Sequence, residues 1–152
     1  MSANRNRLGD RGEQQGTVVA KVFLERLPEG YAGYTDGEDI FLDERLNGAQ
    51  MLCTLTHEMI HLELGHKGHQ PEEVEMQVRY ETARRLLPFD RIVGACKMGN
   101  LTVIANGLGV TRQVLMDRAA TLCDREASEA GCWDCQQCPA IRYRAQRMVE
   151  AS

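Results

Sequence analysis

The chain has 152 residues, a net charge of −4 and 43% hydrophobic residues, a composition typical of one ordinary globular domain. The mildly acidic balance argues against charge-driven binding of nucleic acid, so we do not expect direct nucleic-acid binding. No apolar run approaches the roughly 20 residues that a membrane span needs, so no membrane partner is expected.

The two ends of the chain differ in composition from its middle. Residues 1–16 are polar, with basic positions but no apolar segment after them, which predicts a disordered leader rather than a secretory signal. Without an export signal we expect a cytoplasmic protein whose cysteines are thiols or metal ligands. We divide the remainder into a domain over 17–126 and a Cys-rich, basic tail over 127–152.

The first part of the domain, residues 17–45, predicts a small sheet. β-Branched and apolar residues over 17–27 indicate a strand. Residues 31–43 hold two short apolar runs around Asp36-Gly37, which is the pattern of a β-hairpin. We therefore predict an α+β fold in which a small antiparallel sheet of about three strands packs on the following helices.

Residues 46–88 predict the two helices that would carry a metal site. The first helix, over 46–64, is apolar nearly all round, which predicts that it is buried, and Gly65 suits its C-terminal end. The second helix is expected to begin near Pro71 and to end before Pro88, because proline fits the first helical turn and breaks a helix interior.

Residues 101–122 predict two further helices. Gly107-Leu108-Gly109 separates them, and Thr111 is a suitable N-cap for the second. The arrangement is similar to a helix-turn-helix, but a helical hairpin that packs against the core is the favoured interpretation.

Three residues in the first metal-site helix form an HExxH pattern. His57 and His61 are separated by one helical turn, so both imidazoles can reach a single ion. Glu58 projects beside them and could act as the base that activates a water molecule. The alternative is a pair of surface histidines, but ionisable groups in an otherwise apolar helix are costly unless they are paired or bound to metal.

A catalytic zinc site usually has three protein ligands, so a third ligand is needed. The candidates are Cys53, His66, His69, Glu72 and Glu75. Cys53 fits better as a small buried residue, and the two histidines are expected in a polar loop. The helix dipole explains Glu72 in the first turn. Glu75 lies on the side of its helix away from the solvent-facing polar arc, where a carboxylate needs a partner.

Four segments carry a resemblance to a known family: IFLDERL (40–46), TLTHEMIHLELGH (54–66), ARRLLP (83–88) and LTVIANGLGVTRQVLMDRAATL (101–122). Over about residues 31–122 the chain resembles the ImmA/IrrE family of metallopeptidases. The resemblance matches His57 and His61 with the family's histidine ligands, Glu58 with its catalytic glutamate and Glu75 with its glutamate ligand. Around that ligand the family reads E-x-x-A-N-x-F-A, whereas this chain reads EMQVRYET, so different packing of this helix is expected.

The resemblance implies an intracellular zinc endopeptidase of the type found in phages and mobile elements. Its partner would be a protein substrate, namely a repressor-type DNA-binding regulator. Two alternatives remain open. One is an anti-repressor that retains the zinc site and binds its partner without cleaving it. The other is a SprT-like metallopeptidase in which His69 would be the third ligand.

The cysteines of the tail, together with Cys123 just before it, suggest a second, structural metal site. Cys123, Cys132, Cys135 and Cys138 could together supply four thiolates to a zinc ion. The spacing is not that of a standard zinc ribbon, so a tail without bound metal is an equally favoured interpretation. The basic run IRYRAQR (141–147) leaves nucleic-acid binding as a weaker hypothesis.

Overall fold

The computed structural model describes residues 19–122 and Glu126. The leader predicted over 1–16 and the tail predicted over 127–152 lie outside the described residues. The strands are β1 (Val22–Glu25), β2 (Gly33–Thr35) and β3 (Ile40–Asp43), and the helices are α1 (Gly48–Glu63), α2 (Glu72–Leu86), α3 (Phe89–Ile92), α4 (Leu101–Leu108) and α5 (Arg112–Ala120), with a 3₁₀ helix (Ala95–Met98) before α4. These elements confirm the α+β fold class. In the described part of the chain, no helix combines the length and the apolar character that a membrane span requires.

The sheet has the strand order β1-β3-β2 and is mixed. Strands β2 and β3 form the predicted antiparallel hairpin, and Oδ1 of Asp36 accepts hydrogen bonds from two backbone N–H groups of its turn. Strand β1, in contrast, pairs with β3 in parallel, so the prediction of an antiparallel sheet is wrong for this strand. Turn chemistry fixes the direction of β3 against β2, but it does not determine how β1 approaches the free edge of β3.

The inner face of the sheet packs on α1. Ile40 and Leu42 of β3 are almost fully buried and cluster with Leu62 of α1. A Cβ atom at Gly33 would lie 2.7 Å from the Cγ2 atom of Thr54, so the glycine allows β2 to approach α1 closely. The β2 strand therefore lies directly beside the helix that carries the HExxH pattern.

Helix α1 begins at a capping box in which Asn47 and Gln50 exchange hydrogen bonds. One of its faces is buried, but Leu52 and Met59 are each 45% exposed. The prediction that this helix is buried all round is therefore wrong. Within the described residues, α2 and the strands β2 and β3 cover only part of the helix circumference.

Helices α4 and α5 contribute to the larger of the two hydrophobic clusters formed by the described residues, as the helical-hairpin interpretation expected. Thr111 is the N-cap of α5, as predicted, and its side chain accepts a hydrogen bond from the N–H of Val114. The buried members of this cluster are Cys53, Ala83, Leu87, Ile92, Ala95, Ile104, Ala105, Val110, Val114, Leu115 and Leu122. This core fixes α2 between α1 and α5.

An ion pair also joins α2 to α5. Asp117 is 1% exposed, and its carboxylate accepts hydrogen bonds from Nε and Nη2 of Arg79, at 3.1 and 2.6 Å. The side-chain amide of Gln113 donates to the same carboxylate at 3.0 Å. Paired N–H groups on a buried carboxylate form a strong, directional contact, so this pair helps to set the position of α2.

Replacement of Asp117 by Asn should lower the free energy of unfolding by about 2 kcal/mol, because an amide group replaces the charged acceptor of Arg79 and Gln113. Urea titration followed by circular dichroism would measure this change. The control is Glu63→Gln, which weakens an ion pair to Arg85 whose two side chains are 39% and 40% exposed. An exposed pair should contribute no more than about 1 kcal/mol. Equal losses in the two variants would contradict the prediction.

Candidate metal centre

The two histidines of the HExxH pattern lie on the inner face of α1. Their spacing of four residues brings the two rings together, with centroids 4.7 Å apart and planes inclined at 65°. The Nε2 atoms of His57 and His61 are 3.0 Å apart, and the two side chains are 22% and 6% exposed. The helix thus presents two imidazole nitrogens to one point beside α2.

Glu75, on α2, places a carboxylate oxygen at the same point. Its Oε2 atom lies 3.3 Å from Nε2 of His57 and 3.3 Å from Nε2 of His61. The three donor atoms therefore form a nearly equilateral triangle. His57, His61 and Glu75 together form a group that could hold a metal ion.

The donor set suits a metal ion chemically. Ligands at about 2.0–2.1 Å from a tetrahedral ion lie about 3.3 Å from one another, which is close to the edges of the observed triangle. If neither Nε2 atom carries a proton, as metal binding requires, the two lone pairs repel each other at 3.0 Å, and a carboxylate adds further negative charge. A cation bound by all three atoms would remove this conflict.

The environment of His57 favours the form of the ring that binds metal. Burial, followed by the nearby His61, lowers the pKa of His57, and the carboxylate of Glu75 opposes this shift. A lowered pKa keeps the imidazole neutral, and only a neutral ring offers a lone pair to a metal ion.

Glu58, next to His57 in the sequence, is 8% exposed and borders the triad. Burial, followed by the negative charge of Glu75, raises the pKa of Glu58 to about 7. A divalent cation in the triad would act in the opposite direction and favour the ionised carboxylate. Glu58 is thus a buried carboxyl group beside the donor atoms, as a general base would have to be.

His66 lies in the loop after α1, as predicted, and its side chain also reaches the site. Its Nδ1 atom lies 3.0 Å from Nδ1 of His61, on the side of that ring opposite the triad.

His69 is exposed and is not part of the donor triangle, so the geometry favours Glu75 over His69 as the third donor. Glu72 is likewise exposed, and Cys53 is buried in the core. The four cysteines proposed for a second metal site lie outside the described residues.

Two clefts lie beside the candidate metal centre and share His57 in their linings. The first has a volume of about 460 Å³ and the second a volume of about 590 Å³. Both are bordered by His57 and Glu58 from α1 and by Tyr31 and Gly33 from the region of β2. Arg79 and Asp117 border the first cleft, whereas His61, His69 and Glu75 border the second. The second cleft is therefore bordered by all three donor residues, whereas the first is bordered by His57 alone among them.

The fold and the site together define an α+β protein with a candidate His-His-Glu metal centre. Comparisons with protein-family models, with curated proteins and with solved structures gave no match for this chain.

Proposed function

We propose that this protein is a zinc-dependent endopeptidase. The observation that carries the proposal is the donor triangle of His57, His61 and Glu75, with sides of 3.0, 3.3 and 3.3 Å, beside the buried Glu58. Two histidines and one carboxylate are the ligand set of a class of catalytic zinc sites, and this set leaves one coordination position open. Zinc is the proposed metal because this donor set and spacing suit a small tetrahedral ion.

The residues of the site have separate roles in this proposal. His57, His61 and Glu75 would hold the metal, and Glu58 would take a proton from the attacking water molecule and deliver it to the leaving amine. When bound, zinc would polarise the scissile carbonyl and stabilise the negative charge that develops on its oxygen. The low exposure of Glu58 limits competing contact with bulk water.

The surroundings of the site support a polypeptide in extended conformation as substrate. Strand β2 is at an edge of the sheet, and Gly33, Tyr34 and Thr35 of this strand border the second cleft. An edge strand offers a row of backbone groups with which an extended peptide can pair. A peptide bound along β2 would pass His57 and Glu58, which border both clefts.

The resemblance to ImmA/IrrE metallopeptidases extends this proposal to the substrate class and to the compartment. The proposed substrate is a repressor-type DNA-binding regulator in the cytoplasm. Helices α4 and α5, in the region that would match the family's helices after the catalytic part, are the proposed place of substrate contact.

The test is a cleavage assay with the full chain, dialysed against a chelator and then reconstituted with zinc. The substrates are a proteome-derived peptide library and candidate repressors, and mass spectrometry identifies new termini. Cleavage that appears only after zinc is restored supports the proposal. A stable complex with a repressor and no new termini would contradict endopeptidase activity and favour the anti-repressor alternative.

A further inference from the structure

Nδ1 of His61 is in contact with His66, a residue to which the proposed function assigns no role. Nε2 of His61 faces the donor triangle, and Nδ1 lies 3.0 Å from Nδ1 of His66. We propose that His66 is a positioning residue, which fixes the tautomer and the ring orientation of His61 for metal binding. This inference depends on the proposed metal site and adds a residue to it.

The hydrogen-bonding pattern of two imidazoles determines which nitrogen carries the proton. A neutral imidazole has one N–H donor and one lone-pair acceptor. If His66 Nδ1 is an acceptor, the proton of His61 resides on Nδ1 and is donated to His66. The lone pair of His61 then resides on Nε2, the atom that faces His57 and Glu75. A partner on the distal nitrogen of a metal-binding histidine typically has this function.

The end of α1 holds His66 in place. The N–H of His66 donates to the carbonyl of His61 at 2.9 Å, and the N–H of Gly65 donates to that of Leu62 at 3.1 Å. Gly65 has a φ of 70°, and these two bonds together form a Schellman motif. The backbone of His66 is thus tied to the residue whose ring its side chain contacts. The left-handed conformation of Gly65 therefore helps to place the backbone of His66 beside His61.

His66 acts from outside the donor triangle. Among the described residues, the donor atoms that could share a single ion belong to His57, His61 and Glu75. The nearest ring contact of His66 is with the far side of His61, where the ring centroids are 5.2 Å apart. A positioning role therefore fits this contact better than direct metal binding.

The test compares His66→Leu, His66→Asn and His69→Leu in the full chain. Asparagine places Oδ1 close to where histidine has Nδ1, so it restores an acceptor for His61, whereas leucine removes the acceptor. His69 lies in the same loop and is exposed, which makes it the matched control. The zinc Kd is measured by competition with a chelating dye, and the signal of this centre is identified by its loss in Glu75→Ala.

The zinc Kd of His66→Leu is expected to rise about 10–100-fold, with most of the affinity recovered in His66→Asn and no change in His69→Leu. The absorption spectrum of Co²⁺ bound in place of zinc should indicate the same number of ligands in wild type, His66→Leu, His66→Asn and His69→Leu. Equal Kd values for wild type and His66→Leu would overturn the inference, as would a lower ligand number in His66→Leu. Absence of zinc from the wild-type centre would instead contradict the proposed function itself.

Discussion

Replacement of Glu58 by Gln is expected to lower kcat/KM for peptide cleavage by about 10²–10⁴-fold, the usual contribution of a general base. The amide has nearly the same shape as the carboxylate but cannot accept a proton. Glu58 is not one of the three donor residues, so the zinc content of the variant should equal that of wild type. Loss of activity with retention of metal is the combination that the proposed mechanism requires.

The assay uses the peptide sequence that the library identifies, with a fluorophore and a quencher on either side of the cut. Glu63→Gln is the matched control, because Glu63 lies in the same helix but is exposed and pairs with Arg85. This control should cleave at the wild-type rate. If Glu58→Gln cleaves as fast as the wild-type protein, Glu58 is not the base and the proposed mechanism is wrong.

Replacement of Glu75 by Ala is expected to remove one zinc ion per chain. The remaining two histidines form only one side of the donor triangle, and two ligands hold zinc much more weakly than three. Zinc at about 100 times its Kd should stabilise the wild-type protein by about 2.7 kcal/mol, because the metal binds the folded state. The variant should lack this stabilisation.

Two measurements check this prediction. Elemental analysis gives the zinc-to-protein ratio, and thermal unfolding with and without chelator gives the metal-dependent shift in Tm. The control is Glu72→Ala, since Glu72 lies in the same helix but is exposed and outside the donor group. A chelator should lower the Tm of wild type and Glu72→Ala, but should leave the Tm of Glu75→Ala unchanged. Full retention of zinc in Glu75→Ala would assign the third ligand elsewhere.

The local parts of the fold could be predicted from the sequence. The hairpin around Asp36-Gly37 and the N-cap at Thr111 depend on hydrogen bonds between residues a few positions apart. The direction of β1 and the exposure of Leu52 and Met59 depend instead on which elements pack together. Those contacts join residues that are distant in sequence. The local pattern of a single sequence does not indicate which distant residues pack together.

The candidate site likewise has features that the sequence determined and features that only the tertiary structure decided. The sequence by itself determined that His57 and His61 share one face of a helix, because the period of an α-helix fixes that relation. The position of the polar arc of α2 also indicated that Glu75 faces away from solvent. Only the tertiary structure decided that Oε2 of Glu75 reaches both rings at 3.3 Å, since this distance depends on how α1 packs against α2. The contact between His66 and His61 is local, since it joins residues five positions apart through the turn at Gly65, but the glycine in the sequence predicted only where α1 ends and not where the ring of His66 lies.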